Sequence, residues 1–384
     1  MVDFTLTDAD ERILAQAREE SVIGHRHARW YDKHENELPP AVFPEVADRP
    51  SPYELARRLA GETSGKAIID VLIHLEESYG DTRLRRSRTG LGQMIVNYAG
   101  TPEQVARWGR AELSIAITEP GAGSDPASVR TSARRDPATG EWILNGEKIY
   151  CSGFGGADGA FVMARGPEVN GVRPFMGFIV EKGTPGLALL GQVRKMGIRS
   201  WDTENFVLQD CRLPDFNRID VDFKKIMYVF NGTRPMVGAM GLGVARALLD
   251  FTRGKLAEQG LAVRYEPGAG GRTVAEDRLL RMEALYDAAL LSVLRCKWLE
   301  EQERDNPAAN KVEAAMAKVL GGKAARRISQ DCLELLGPQA LSEEFLAEKW
   351  FRDARIFDIF EGAGEVNRLI VARWLLDYSA RELN

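Results

Sequence analysis

Three short segments carry side chains whose types and spacing could do chemistry. The first runs from Ser114 through Ile115, Ala116, Ile117, Thr118 and a Glu-Pro-Gly-Ala-Gly turn to Ser124 and Asp125. A short apolar run entering such a turn offers backbone N–H groups and hydroxyls to a polar ring edge or a phosphate. The second, Gly146 to Gly153, reads as a strand ending in an aromatic and a hydroxyl. Tyr150 could stack on a planar cofactor and Ser152 could hydrogen-bond to it, although a core tyrosine and a turn serine would look the same. The third, Arg352 to Arg368, encloses the apolar run Ile356 to Phe360 between charges and then sets Glu361 directly before Gly362, Ala363 and Gly364. In a cleft with apolar walls, desolvation would raise the pKa of this glutamate and suit it to take a proton from carbon. Beside the start of a final helix, the dipole would favour the same acid without any catalytic role. The residues alone leave both readings open.

The elements that must position these segments fall into three blocks. From the start to about residue 110, apolar residues recur at three- and four-residue spacing, as in ERILAQAREE, YELARRLAGE and KAIIDVLIHLEESYG, which predicts helices. The proline-containing stretch Leu38 to Pro52 reads as a loop. From about Ala111 to Phe223 the runs are short, rich in β-branched and aromatic residues, and separated by Gly, Pro, Asn and Asp. Asp136 to Gly140 predicts a hairpin turn, and Asn145-Gly146 a second. Beyond Lys224 long helical patterns return: residues 238–259, 278–303, 308–336 with a break expected at Gly321-Gly322, and 366–379. A glycine-rich loop, RYEPGAGGRT, separates the first two. The expected fold class is α+β, mostly α: an N-terminal helical domain (1–114), a central antiparallel β-domain (115–223) and a C-terminal four-helix bundle (224–384).

Bulk properties narrow the function. The 384 residues suffice for a generous core, and the composition, 44% hydrophobic and 28% charged, is that of a globular protein. A net charge of −5 provides no basic excess for nucleic acid. No apolar stretch approaches a membrane span, and the acidic N-terminus does not read as a signal peptide. Cys151, Cys211, Cys296 and Cys332 form no C-x-x-C pair, so a zinc knuckle or disulfide framework is not expected, and a reduced, cytoplasmic setting is. The four histidines (His25, His27, His34 and His74) all lie in the first quarter, so a base further along is not expected to be histidine. The first three are placed on a solvated helix rather than at a metal.

In this order and spacing, TEPGAGSD (Thr118 to Asp125), NGEKIYCSG, KMGIRSWDTENFVLQDCRLP and RDARIFDIFEGAGEVNRLIVAR (Arg352 to Arg373) resemble the acyl-CoA dehydrogenase family. Thr233-Arg234-Pro235, expected to open the first C-terminal helix, fits as well. The likeness runs from about Thr118 to the C-terminus, with a looser helical match before it. It implies FAD between the β-domain and the bundle, completed by a neighbouring subunit of a homodimer or homotetramer. It also implies α,β-dehydrogenation of an acyl-CoA to a trans-2-enoyl-CoA, with Glu361 as the base and an electron-transfer flavoprotein as electron acceptor. Carried over by position, Ile115, Ala116, Ile117, Thr118, Ser124, Tyr150, Cys151, Ser152, Gly337, Ala363, Gly364 and Glu365 would bind FAD. Ser124, Asn231, Thr233, Arg234, Gly362 and Arg373 would meet the substrate. Some relatives place the base just before the helix arginine; Thr233 occupies that position here and cannot serve.

The chain also departs from the family pattern. An Arg-x-x-Phe-Gly segment and a following glutamine are replaced by Arg264 to Arg272 and Ala275 to Arg278. A Gly-Gly pair is Gly337-Pro338, which lacks a backbone donor, and Glu-Gly-Thr is Glu361-Gly362-Ala363, which lacks a hydroxyl. Two other readings stay open: an oxidase or carrier-protein thioester dehydrogenase on the same fold, and, favoured by these changes, a non-catalytic subunit of a heteromeric enzyme.

Overall fold

The computed structural model describes residues 3–35, 37–80, 84, 90–265, 271–303, 311–379 and 382. The N-terminal helices are α1 (Asp8–Lys33), α2 (Pro52–Arg58), α3 (Ile68–Glu77), α4 (Leu91–Ala99) and α5 (Pro102–Trp108). Thr7 caps α1 in a reciprocal box: its hydroxyl accepts from the Asp10 N–H, and Asp10 accepts from the Thr7 N–H. The loop expected over Leu38 to Pro52 holds one 3-10 turn, Pro44–Val46. The histidine expectation needs one correction. His25 faces inward, its Nε2 lying 2.7 Å from the Tyr79 carbonyl and its ring 5.2 Å from that of Trp350. Burial lowers its pKa, because the charged form loses hydration there.

The central domain is one sheet of β1 (Leu113–Ala116), β2 (Ser132–Arg135), β3 (Trp142–Ser152), β4 (Gly159–Arg165), β5 (Phe175–Glu181), β6 (Leu187–Gln192), β7 (Thr203–Leu213) and β8 (Arg218–Ile219). The order is β6-β7-β3-β2-β4-β5-β8, with β1 beside β4. Pairing is antiparallel except that β4 runs parallel to β1 and, over one residue pair, to β2. Strand β4 is buried on both faces. Ala160, Val162 and Ala164 join one apolar cluster, while Phe161 and Met163 join another, which is the two-residue alternation of a covered strand. The second cluster also contains Ile115 and Ile117 from the β1 segment and Ile226, Val229 and Phe230 from the first C-terminal helix.

The Asp136 to Gly140 turn forms: the Gly140 N–H donates to the Asp136 carbonyl at 2.8 Å, and Gly140 has φ +74°. Asn145-Gly146 makes no turn. It lies inside β3 at a bulge, where the Asn145 side chain pairs with Asp210 across the sheet. A Cβ on Gly146 would lie 2.4 Å from the Thr131 hydroxyl, so glycine is required there by close approach.

The C-terminal helices are α6 (Phe223–Glu258), α7 (Val274–Gln302), α8 (Lys311–Leu336), α9 (Ala347–Asp353) and α10 (Gly364–Leu375). Residues 266–270 of the glycine-rich loop lie outside the described residues. Helix α6 begins well before Gly238, so Thr233-Arg234-Pro235 lies within the helix instead of opening it. No break occurs at Gly321-Gly322. A Cβ on Gly321 would lie 2.5 Å from the Gly238 Cα, and one on Gly322 would lie 2.7 Å from the Phe357 carbonyl oxygen. These glycines let α6, α8 and the Phe357 segment touch backbone to backbone. Arg352 of α9 ties the parts together by donating to Asp32 of α1 at 3.0 and 2.7 Å and to the Met196 carbonyl of the β-domain at 2.7 Å. Its neighbour Asp353 accepts from the Ile198 N–H and from the fully buried Lys349.

Candidate active site

The chain reaches Glu361 from a 3-10 turn, Ile356–Asp358, and must reverse before α10 begins at Gly364. It does so with two successive left-handed residues, Glu361 at φ +55° and Gly362 at φ +94°. For a non-glycine residue that geometry costs on the order of 1 kcal/mol or more, so the surroundings must hold it. Lys318 of α8 donates to the Gly362 carbonyl at 2.7 Å, Asn367 of α10 donates to the same oxygen at 2.7 Å, and Arg234 reaches the Glu361 carbonyl at 3.5 Å. Adding a Cβ to Gly364 would place it 2.3 Å from Asp358 Oδ1. The turn therefore packs too closely for larger residues.

The Glu361 carboxylate points inward. Thr233, one-third of the way along α6, donates its hydroxyl to Oε2 at 2.7 Å. The next residue, Arg234, is 5% exposed and donates to the side chain of Asn231, one turn back along the helix, at 2.8 Å. Pro235 lacks the N–H that would otherwise bond the Asn231 carbonyl, so a backbone acceptor is released at this point of the helix. Residue Glu361 keeps some surface, but its carboxyl group sits among protein atoms. Desolvation pushes its pKa up to about 7, against the opposing pull of the Thr233 hydroxyl, Arg234 and Lys318. The same burial lowers Lys318 to about 8. The backbone N–H of Glu361 makes no hydrogen bond to any described residue.

A second group of expected residues assembles on the sheet. The Ile117 carbonyl accepts from Lys148 at 3.1 Å, and the Thr118 carbonyl accepts from the Ile149 N–H at 2.9 Å, which fastens the β1 extension to β3. Lys148 is fully buried and paired with Glu119 at 2.6 Å. Burial opposes the Glu119 charge, yet its pKa is lowered, because Lys148, Thr131 and the Arg130 N–H together outweigh that cost. Glu119 is thus a structural acid. Beyond Lys148 the strand bulges. Tyr150 adopts φ +56° with its N–H on Asn205 Oδ1 at 3.0 Å, and the residue is left 59% exposed. Ser152 is exposed, 3.4 Å from the Thr203 hydroxyl. Tyr150 and Ser152 are uncovered, and a Cβ at Gly121 or Gly123 would have no neighbour within 4 Å, so an aromatic face, a hydroxyl and open backbone are free to meet a flat polar ring. These residues fit a flavin. The side chains of Ala116 and Cys151 are buried in the β-domain core, so what they present outward is backbone.

The structure brings Asn231, Thr233, Arg234, Glu361 and Gly362 into direct contact. It fastens Thr118 to β3 next to Tyr150 through the Ile149 N–H, sets Ser152 at the end of the same strand, and packs Ile115 and Ile117 against the start of α6. Ser124 is exposed on its turn, Gly337 opens a 3-10 turn at the end of α8 with φ +61°, and Arg373 is half-buried near the end of α10. Ala363 precedes α10, and its carbonyl accepts from Asn367 at 3.3 Å. Glu365 is exposed and paired with Arg368 at 2.7 Å. Sequence reasoning missed Lys318, Asn367 and Asp358. For Lys318 a signal existed: Ala314, Ala317, Lys318, Gly321, Gly322 and Ala325 form one helical stripe, and a lysine in a stripe of small residues is placed inside.

Comparison with known proteins identifies the family to which the central and C-terminal domains belong. Residues 114–211 match the family model for the acyl-CoA dehydrogenase middle domain, and residues 223–376 match the one for its C-terminal domain. The mouse mitochondrial short-chain specific acyl-CoA dehydrogenase is 32% identical over 68% of this chain, a match spanning 62% of that relative's own length. A probable acyl-CoA dehydrogenase of Bacillus subtilis is 30% identical over 82% of this chain and 84% of its own. Among solved structures, a Mycobacterium smegmatis glutaryl-CoA dehydrogenase in complex with FADH2 superposes with a TM-score of 0.76 at 22% identity, covering 97% of this chain and 96% of that one. At that identity the likeness establishes the fold alone.

Proposed function

Because the chain belongs to the acyl-CoA dehydrogenase family, we propose that it catalyses FAD-dependent α,β-dehydrogenation of an acyl-CoA thioester to a trans-2-enoyl-CoA with Glu361 as the base. The observation that carries this reading is the Glu361 carboxyl, pushed up to about 7 by burial and held by Thr233. A base tuned near working pH is ionised often enough to act and basic enough to accept a proton from carbon. The α-proton of a thioester leaves only if fixed donors meet the developing enolate oxygen. The uncommitted N–H of Glu361 is such a donor on the same residue, and the Arg234 charge beside it favours the negative oxygen.

Ile115 to Thr118, Ser124, Tyr150, Cys151 and Ser152 would hold the flavin, with Gly337, Ala363, Gly364 and Glu365 completing its site. Bound FAD would supply the acceptor for the hydride leaving the β-carbon. Ser124, Asn231, Thr233, Arg234, Gly362 and Arg373 would contact the acyl-CoA. An electron-transfer flavoprotein is the proposed oxidant, and a homodimer or homotetramer the proposed assembly. The assembly is supported by uncovered apolar residues at the end of the 3-10 turn after α8 and at the end of α10: Leu341, Leu375 and Trp374 are 72%, 67% and 62% exposed. Four free, buried cysteines fit a reducing, cytoplasmic location.

The test is anaerobic addition of a panel of acyl-CoA thioesters to the yellow holoprotein. The wild type bleaches with its substrate, while Glu361→Gln keeps its flavin and stays yellow. Bleaching of that variant at the wild-type rate would place the base elsewhere. Admitting air afterwards separates a dehydrogenase, which stays bleached for long, from an oxidase, which recolours at once.

A further inference from the structure

Lys318 is 0% exposed and lies on the stripe of α8 that packs against α6 and the Glu361 turn. Burying an ammonium costs several kcal/mol unless its surroundings compensate, and a methionine would fill the same space among alanines and glycines. Among the described residues no carboxylate lies within 4.0 Å of its Nζ. Its hydrogen bond goes to the Gly362 carbonyl at 2.7 Å, the oxygen that Asn367 also holds. The charges that face it come from every element packed there: Arg234 of α6, Asp358 of the 3-10 turn, Glu361 itself, and Glu365 in the first turn of α10. Arg326, two turns along α8, lies 4.0 Å from Asp358 and draws on the same acid.

We propose that Lys318 is the positioning residue of the base. Its ammonium clamps the Gly362 carbonyl, keeps the Glu361–Gly362 turn left-handed, and sets a positive charge beside the Glu361 carboxylate. This rests on the reading of Glu361 as the base. The electrostatic half has a definite sign. A nearby cation stabilises the carboxylate, so removing it makes Glu361 harder to ionise. The geometric half is separate, because an amide at position 318 could still reach the carbonyl without carrying charge.

The experiment titrates Glu361 in the purified holoprotein by infrared difference spectroscopy, its carboxyl band being the one missing from Glu361→Gln. In Lys318→Met and Lys318→Gln the midpoint moves to higher pH by roughly one unit, and Lys318→Arg returns it toward the wild type. Amide exchange across residues 361–364 speeds up in the Met variant. The pH limb of anaerobic bleaching moves with the band. An unmoved band in the Met variant, or in the Gln variant should Met fail to fold, overturns the proposal. If the band moves while bleaching by Glu361→Gln proves normal, Lys318 still positions Glu361 and only the assignment of the base fails.

Discussion

Replacing Thr233 by valine keeps the shape of the side chain and deletes the 2.7 Å hydrogen bond to Glu361 Oε2. A bond to a charged group is worth about 1.5–3 kcal/mol, and one pKa unit corresponds to about 1.4 kcal/mol. At the lower end, Glu361 would rise by about one unit above its value near 7. At pH 7 the ionised fraction would fall from about one half to about one tenth, slowing anaerobic flavin bleaching about fivefold. Above pH 9 both proteins would carry the charged carboxylate, and their rates would converge. Stopped-flow bleaching from pH 5.5 to 9.5 reads the limb directly, with Thr233→Ser as the control that keeps the hydroxyl. A Thr233→Val limb coincident with the wild type would refute the claim that this hydroxyl steadies the charge. Equal slowing at every pH would mean that Thr233 shapes the site without tuning it.

Glu361→Gln should be more stable than the wild type at pH 8. The folded pKa is raised, so ionisation opposes folding once the pH exceeds the unfolded value, and the opposition is complete above about 7. The gain, at most ~3 kcal/mol, should shrink as the pH falls from 8 towards 5, as read by urea unfolding at each pH. Lys148→Met should lose about 3–5 kcal/mol, because Glu119 is left buried without its cation; a loss below 1 kcal/mol would show that the Thr131 and Arg130 bonds suffice. Gly321→Ala should lower stability by about 1–3 kcal/mol, since its Cβ would press on the Gly238 backbone, and an unchanged thermal midpoint would mean that the helices separate freely. Light scattering should give a dimer or tetramer for the wild type, with Trp374→Glu shifting it towards monomer; a monomeric wild type would remove the proposed role of the α10 face.

The helical and strand texture was legible because periods of 3.6 and 2 are written directly in apolar spacing. It failed where a residue's meaning depends on what faces it. Asn145-Gly146 has turn chemistry, but the approach of Thr131 requires the glycine within a bulged strand. Gly321-Gly322 looks like a break, yet the glycines are where two helices and the Phe357 segment meet. The family resemblance put Thr233-Arg234-Pro235 at a helix start, whereas packing carries α6 through Pro235.

By itself the sequence determined which residues could do chemistry. The order of TEPGAGSD, NGEKIYCSG and the Glu361 segment is local information, as are the caps at Thr7 and Thr273. Tertiary structure alone decided their electrostatic state. Two glutamates that look alike in sequence end differently: Glu119 meets Lys148 and stays charged, while Glu361 meets a threonine and a desolvating wall and rises to about 7. Those partners lie 29 and 128 residues away in the chain. Solvation and Coulomb energies depend on distance in space, and distance in space is fixed only when the sheet and helices pack.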